Sequence, residues 1–333
     1  MMSNGGMKRV AIVGAGFSGL VLATRLRDVA AVTLFEKSRG VGGRMATRYA
    51  DDYEFDHGAQ FFTARTPAFR EFLQPLIRDQ VVANWAPMFE ELDRHGTRDR
   101  RDWGEKYPHY VGVPRMNAVG KYLSTGCDIR TNTRIEEVRQ DKRKWSLVDN
   151  RGLCHDGFDW LVLTAPAPQT GALAAEQPDL FALCQARTMR ACVALMLGFP
   201  APLGLPWDAA VVRDADISWM TVNSSKPGRA AASTMLVHST NAWANEHIDD
   251  DTDALRAHLV DEASAISGVD LGHASFCDVH RWRYANIDKY DGPDCYVDET
   301  SQLAACGDWF LRGRVEAAFT SANALAGKLR GCL

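Results

Sequence analysis

Long hydrophobic runs are missing from this chain. None of its 333 residues sits in a stretch of the roughly 18 apolar side chains that a membrane-spanning helix needs, so no such helix is expected. The eight cysteines, at 127, 154, 184, 192, 277, 295, 306 and 332, form no CxxC pair and no His/Cys group at zinc spacing. Reduced thiols in a cytoplasmic protein are expected, with no metal. Excess charge is also lacking: a net charge of -4 makes no electrostatic case for nucleic acid or an anionic membrane as partner. There is no GxSxG, HExxH or Walker signature, no internal repeat and no low-complexity tract. What remains, at 46% hydrophobic and 24% charged residues, is an ordinary globular composition with length for two domains.

After a polar start at residues 1–7, Arg9–Val13 has the apolar character of a strand buried on both faces, and Ser18–Arg27 carries a helical stripe of Leu20, Ala23 and Leu26. Ala31–Phe35 returns to strand, completing a βαβ unit. The glycines inside Val10–Ala23 and the absence of a following small-residue cleavage site argue against a secretory signal. Residues 67–115 read as a helical and mixed insertion, and 129–148 as short antiparallel strands. Further strands are expected at 159–164, 191–199, 217–222, 234–239 and 303–306, and helices at 253–266 and 315–329.

Between the first strand and helix lies Gly14-Ala15-Gly16-Phe17-Ser18-Gly19, a GxGxxG in the context that gives it meaning. Gly14 permits the turn, Gly16 lets backbone approach a diphosphate, and Gly19 lets helix pack on strand. The helix start supplies free N–H groups and partial positive charge. Glu36, 22 residues after Gly14, stands where a carboxylate accepts both hydroxyls of an adenosine ribose and repels a 2′-phosphate. The signature alone does not separate FAD from NAD. Next comes Lys37-Ser38-Arg39-Gly40-Val41-Gly42-Gly43-Arg44, a second glycine-rich turn that a simple dehydrogenase does not need, with Arg44 suited to a phosphate.

Ser38–Arg44 resembles the second glycine motif of the FAD amine-oxidase superfamily, and Asp56-His57-Gly58-Ala59-Gln60-Phe61-Phe62 the segment that follows it in the renalase-like branch. Ala304-Ala305-Cys306-Gly307-Asp308-Trp309 is similar to the family's closing FAD motif, and His280-Arg281-Trp282-Arg283-Tyr284-Ala285 to a strand entering the flavin region. The resemblance covers the whole chain and implies an α/β fold: a Rossmann-like FAD-binding domain of the glutathione-reductase type and a strand-rich α+β substrate domain. The expected division is 1–65, 115–170 and 275–333 against 66–114 and 171–274, with a non-covalently held flavin at the junction.

The resemblance also implies FAD contacts from Gly14, Gly16, Phe17, Ser18, Gly19, Glu36, Lys37, Gly42, Gly43 and Arg44. Gly58, Ala59, Gln60 and Phe61 would add to these, as would Gly307 and Asp308 on the ribityl chain, and Val315, Glu316 and Ala318 at the start of the last helix. Gln60, Phe61, Trp282 and His238, which looks like the family's active-site histidine, are the candidate catalytic residues; Phe62 and Tyr284 are further candidate walls for a flat ring. Renalase-like proteins oxidise dihydropyridine isomers of NAD(P)H by hydride transfer to flavin N5 and reduce molecular oxygen to hydrogen peroxide, so that activity is the expectation here. An amine oxidase, a non-catalytic dinucleotide-binding or redox-sensing protein, and an NAD-dependent dehydrogenase remain open at this point. The basic group Arg98, Arg100 and Arg101 reads as a solvated charged loop, although it could meet phosphates; Asp249, Asp250 and Asp251 read as a helix-capping run, and Asp102 as a further candidate carboxylate. Oligomeric state is not legible.

Overall fold

The apolar run at Val10–Val13 lies at the centre of a six-stranded sheet. The structure is a computed structural model that describes residues 6–101, 107–230 and 232–333; Asp102 and part of the polar start lie outside these. Strands Asp128–Arg130, Ala30–Phe35, Lys8–Val13, Trp160–Leu163 and Leu303–Ala305 run parallel in that order, and Tyr296–Asp298 joins antiparallel at the edge. Val10, Ala11 and Ile12 are fully buried, as a strand with neighbours on both sides and covered faces requires. The sheet thereby brings the first and last motifs of the chain together. Helix Phe17–Leu26 follows the first strand and helix Val315–Leu329 follows the last parallel one, and Ser18 Oγ donates to the carbonyl of Ala318 at 3.2 Å. An antiparallel sheet of Ile135–Asp141, Lys144–Asp149 and Cys154–Phe158 buries Trp145, Leu147 and Phe158 in a core shared with Phe35 and Trp309.

These elements belong to one of two compact units, formed by Met1–Arg44, Gly120–Met189 and Ile287–Leu333. The other, Met45–Val119 and Arg190–Asn286, is built on a seven-stranded sheet ordered Phe276–Ile287, Met189–Phe199, Ser233–Ser239, Ile217–Val222, Ala209–Val212, Phe89–Asp93, Gly96–Arg101. Alternation along Met189–Phe199 sends Leu195 and Leu197 into a core with Val237, Leu259 and Ala263, the last two from helix Thr252–Ser267, and sends Met196 to a second core with Phe55 and Leu236. The aspartate run does cap that helix: the Asp251 carboxylate accepts from the N–H groups of Asp253 and Ala254 at 2.8 and 3.2 Å.

Two features differ from the sequence expectation. The insertion keeps its helix, Pro67–Arg78, capped by Thr66 Oγ1, but its described remainder carries four strands and no further helix before Ala118: Val82–Asn84, Phe89–Asp93, Gly96–Arg101 and His109–Gly112. Paired charges masked this, since Glu90 lies opposite Arg100 across the hairpin and is itself buried. The compact units also divide the chain differently: residues 45–65, 115–119 and 275–286 fall in the second unit and 171–189 in the first, with Phe276–Ile287 extending the seven-stranded sheet and not the parallel one.

Candidate active site

In the first unit the three motif glycines have different reasons to be glycine. Gly14 has φ +109°, and a Cβ there would lie 2.7 Å from Thr164 Oγ1; a Cβ on Gly19 would lie 2.1 Å from the carbonyl oxygen of Gly14. Gly16 has an ordinary φ of -72°, and a Cβ on it meets nothing nearer than Gly43 Cα at 4.0 Å. The fold thus demands glycine at 14 and 19 but not at 16, where the cradle is open to another molecule. Helix Phe17–Leu26 begins there without a side-chain cap, and the positive end of its dipole favours an anion.

Glu36 stitches the turns together. It is buried, Oε2 accepts from Ala15 N at 2.9 Å and Oε1 from Ser38 N at 2.8 Å, and each oxygen keeps acceptor capacity for a hydroxyl. The second glycine turn docks on the first: Gly42 N donates to the Ala15 carbonyl at 2.8 Å, and Gly16 bridges to Gly42. Lys37 is exposed, as is Gly43. Arg44, expected at a phosphate, and Asp308, expected at ribityl hydroxyls, are bonded to each other through two contacts. Gly307 N donates to Ser321 Oγ at 3.0 Å, which fixes the closing motif on the last helix. The first turn of that helix has half-buried Val315 and Glu316, then buried Ala317 and Ala318, with no side-chain cap before it.

In the second unit every residue nominated as catalytic touches the segment 56–61 or belongs to it. The His57 carbonyl accepts from Trp282 Nε1 at 2.8 Å, and its contact with His238 Nε2 is 3.2 Å. The His57 ring stacks on Trp282, centroids 5.1 Å apart, and meets His280 edge-on at 4.7 Å. Phe61 packs against His109 at 4.9 Å and Trp219 at 5.5 Å. Gly58 and Ala59 are half-buried. Gln60 is buried and serves the segment first: Nε2 donates to the carbonyls of Asp56 and Gly58, and Oε1 accepts from Lys226 Nζ at 3.0 Å. Phe62 is core, packed on Phe69 and Tyr110.

The anchor of this segment is a buried ionic group. Asp56 Oδ1 accepts from Thr47 Oγ1 and Met116 N, while Oδ2 takes both Nε and Nη2 of Arg229. Arg229 Nη1 reaches the carbonyls of Gly112, Pro114 and Pro227. Burial works to raise the Asp56 pKa, but Lys226, Arg229 and the hydrogen bonds prevail and hold it below the usual range. Burial pushes Lys226 down to about 7, His238 and His109 to about 4 and His57 to about 3. At neutral pH these imidazoles are uncharged, and Arg229 already balances Asp56.

A family model described as flavin containing amine oxidoreductase matches residues 88–326, more than half of the chain, and an NAD(P)-binding Rossmann-like domain matches 12–76. The chain belongs to the flavin-containing amine oxidoreductase family. This flavoprotein is renalase-like: it is 21% identical to renalase of Mus musculus over 95% of its own length and 97% of that protein's. In fold it is similar to a cofactor-binding variant of putrescine oxidase (TM-score 0.72, 11% identity, 98% and 100% of the two chains covered) and to an oxidoreductase from Methanosarcina mazei (0.68, 12%, 96% and 100%). Its cofactor is FAD. The first unit fits that molecule, with the Gly16 cradle, the uncapped helix start and the Glu36 carboxylate in one place. Among the described residues no helix is long and apolar enough to cross a membrane.

Sequence reasoning missed Asn223, Lys226 and Arg229 altogether. Their three-residue spacing in a segment opened by the short turn Asn223–Ser225 was the available signal, since it sends all three side chains to the 54–60 segment. Arg98 and Arg100 face carboxylates, Arg98 with Asp93 and Asp214 and Arg100 with Glu90. Asp216, His258 and Glu262 bring ligand atoms within 4.8 Å of one another, but His258 already contacts Asp216 and Arg94 pairs with Glu262.

Proposed function

We propose that this flavoprotein oxidises a dihydronicotinamide, an isomer of NAD(P)H, by hydride transfer, with molecular oxygen as the final acceptor. The observation that carries the reading is the character of the second unit's cluster: neutral imidazoles, aromatic rings, and a carboxylate whose charge Arg229 has already taken. Lys226, brought to about 7 by burial, adds a share of positive charge near neutrality, while the Asp56 carboxylate is balanced by Arg229. Such surroundings oppose a substrate ammonium and suit a flat neutral ring carried on an anionic dinucleotide.

Bound FAD supplies the two-electron acceptor. The first unit holds its diphosphate at Gly16 and the helix start and its ribose at Glu36; Gly42, Gly43, Arg44, Asp308 and the start of the last helix complete the cofactor set. In the second unit Phe61 and Trp282 offer faces for the substrate ring, and the fixed 56–61 segment sets their attitude. The donor's ring nitrogen pushes the hydride out, so no residue has to remove a proton. The donor becomes the pyridinium, and oxygen takes the two electrons with the hydride's proton and one further proton from solvent to become hydrogen peroxide. The test is anaerobic mixing of the purified protein with isomers of NAD(P)H reduced at different ring carbons, beside a panel of amines, while flavin absorbance is followed. Bleaching by one dihydronicotinamide isomer supports the reading; bleaching by amines alone replaces it with amine oxidation, and a flavin that stays oxidised throughout favours a non-catalytic role.

A further inference from the structure

Lys226 is the group in the second unit whose presence the fold does not explain. Its side chain is wholly buried, and its Nζ donates to the amide oxygens of Gln60 and Asn223, both at 3.0 Å. The carboxylate beside it, Asp56 at 3.8 Å, already has Arg229, Thr47 and Met116 N. Trp85 presents its ring with the centroid 5.6 Å from Nζ. An apolar side chain of similar length would fill this space without the cost of burying a charge, so the ammonium is kept for what it does to its two amide partners. Those partners are tied to the site. Gln60 Nε2 holds the carbonyls of Asp56 and Gly58, and Asn223 Nδ2 holds that of Glu54 at 3.0 Å, so Lys226 decides which way both amides point.

We propose that Lys226 is a positioning residue of the substrate site: by holding Gln60 and Asn223 it fixes the 54–60 segment, and with it the angle at which the adjoining Phe61 ring stands. The inference rests on the placement of Phe61 at the substrate, and it holds whichever donor is oxidised. The charged and titratable groups facing the ammonium are Asp56, which favours its charge, Arg229, which opposes it, and His238, whose proton affinity the lysine charge lowers. Burial brings the lysine to about 7, so its grip weakens as pH rises through neutrality, when the amine keeps two N–H groups but loses its charge.

The experiment compares the FAD-loaded wild type with Lys226→Met and Lys226→Arg, using the best donor from the panel. It measures kcat and KM between about pH 6 and 9, FAD retention, and hydrogen exchange of the 54–61 segment; the range brackets neutrality for a lysine that titrates near it. For Lys226→Met the expected result is a KM raised about tenfold, as for loss of one well-placed hydrogen bond, with a smaller change in kcat. FAD retention should be unchanged, exchange at 54–61 faster, and the fall of kcat/KM above neutrality gone. Lys226→Arg should recover most of the KM and also lack the fall, because a guanidinium does not deprotonate. The proposal is overturned if Lys226→Met keeps the wild-type KM and pH profile, or if its FAD retention falls and its exchange quickens across the whole chain together. Should Lys226→Met not fold, wild-type exchange decides: 54–61 should loosen relative to the rest of the chain between about pH 6 and 8, and no such change contradicts the proposal. If no dihydronicotinamide but an amine bleaches the flavin, the substrate reading fails while this test proceeds with the amine.

Discussion

Arg44 and Asp308, 264 positions apart in the chain, form a two-bond ion pair, Nη1 to Oδ2 at 2.9 Å and Nη2 to Oδ1 at 2.5 Å. One residue follows the second glycine turn and the other lies just past the last strand, Leu303–Ala305, so the pair fastens the two ends of the cofactor motif set. Asp308 is nearly buried and Arg44 partly so. Asp308→Asn should lower the stability of the FAD-free protein by about 1–3 kcal/mol, less than for a fully buried pair because Arg44 keeps some water contact. Denaturant midpoints of the FAD-free wild type and variant check this; equal midpoints refute a structural role for the pair.

Gly16 and Gly19 separate cradle from fold. Gly19→Ala should not give a stable protein, since the new Cβ would fall 2.1 Å from the Gly14 carbonyl oxygen. Gly16→Val should fold, having no protein atom to displace at its Cβ, and should lose FAD. Circular dichroism and flavin content of the two purified variants decide; a Gly16→Val protein that keeps its flavin contradicts the cradle.

Much of this half of the molecule was legible because its motifs are local. Gly14 to Glu36 is one βαβ unit, and the strand bounds come out within a residue or so because a strand buried on both faces needs a continuous apolar run. The helix Val315–Leu329 was equally plain from its stripe. Lys226 and Arg229 were not, because a buried ionic group leaves no periodicity: its residues gather from 47, 56, 60, 116, 223, 226 and 229, and composition reports them only as charges that belong on a surface. The same blindness hid the hairpin Phe89–Asp93 and Gly96–Arg101, whose buried Glu90 is paid for by Arg100 and Thr97.

Glu36→Ala should weaken FAD binding by about tenfold or more, since it removes the ribose acceptors and leaves Ala15 N and Ser38 N without theirs. Glu36→Gln should lie between, keeping one acceptor oxygen. FAD dissociation constants from flavin fluorescence measure both; an affinity unchanged in Glu36→Ala counts against the assignment.

Acid should destabilise the protein through its uncharged histidines. For His57 and His238 the folded pKa, about 3 and about 4, lies below the ordinary 6.5, so the unfolded chain binds more protons in between. Their contribution is fully present above pH 6.5 and is lost as pH falls toward the folded values, at up to roughly 1.4 kcal/mol per pH unit for each ring. Urea midpoints of the wild type and of His238→Gln across this window test it: the variant should fall less steeply, and parallel curves refute the contribution of His238.

The most direct test of the central claim is the pH dependence of kcat/KM for the best donor found. A dihydronicotinamide needs no deprotonation, so kcat/KM should not rise between about pH 7 and 10, the range in which a substrate ammonium loses its proton. A value that climbs about tenfold per pH unit to a plateau near 9–10 would mean that the chain oxidises an amine, and the claim would be wrong.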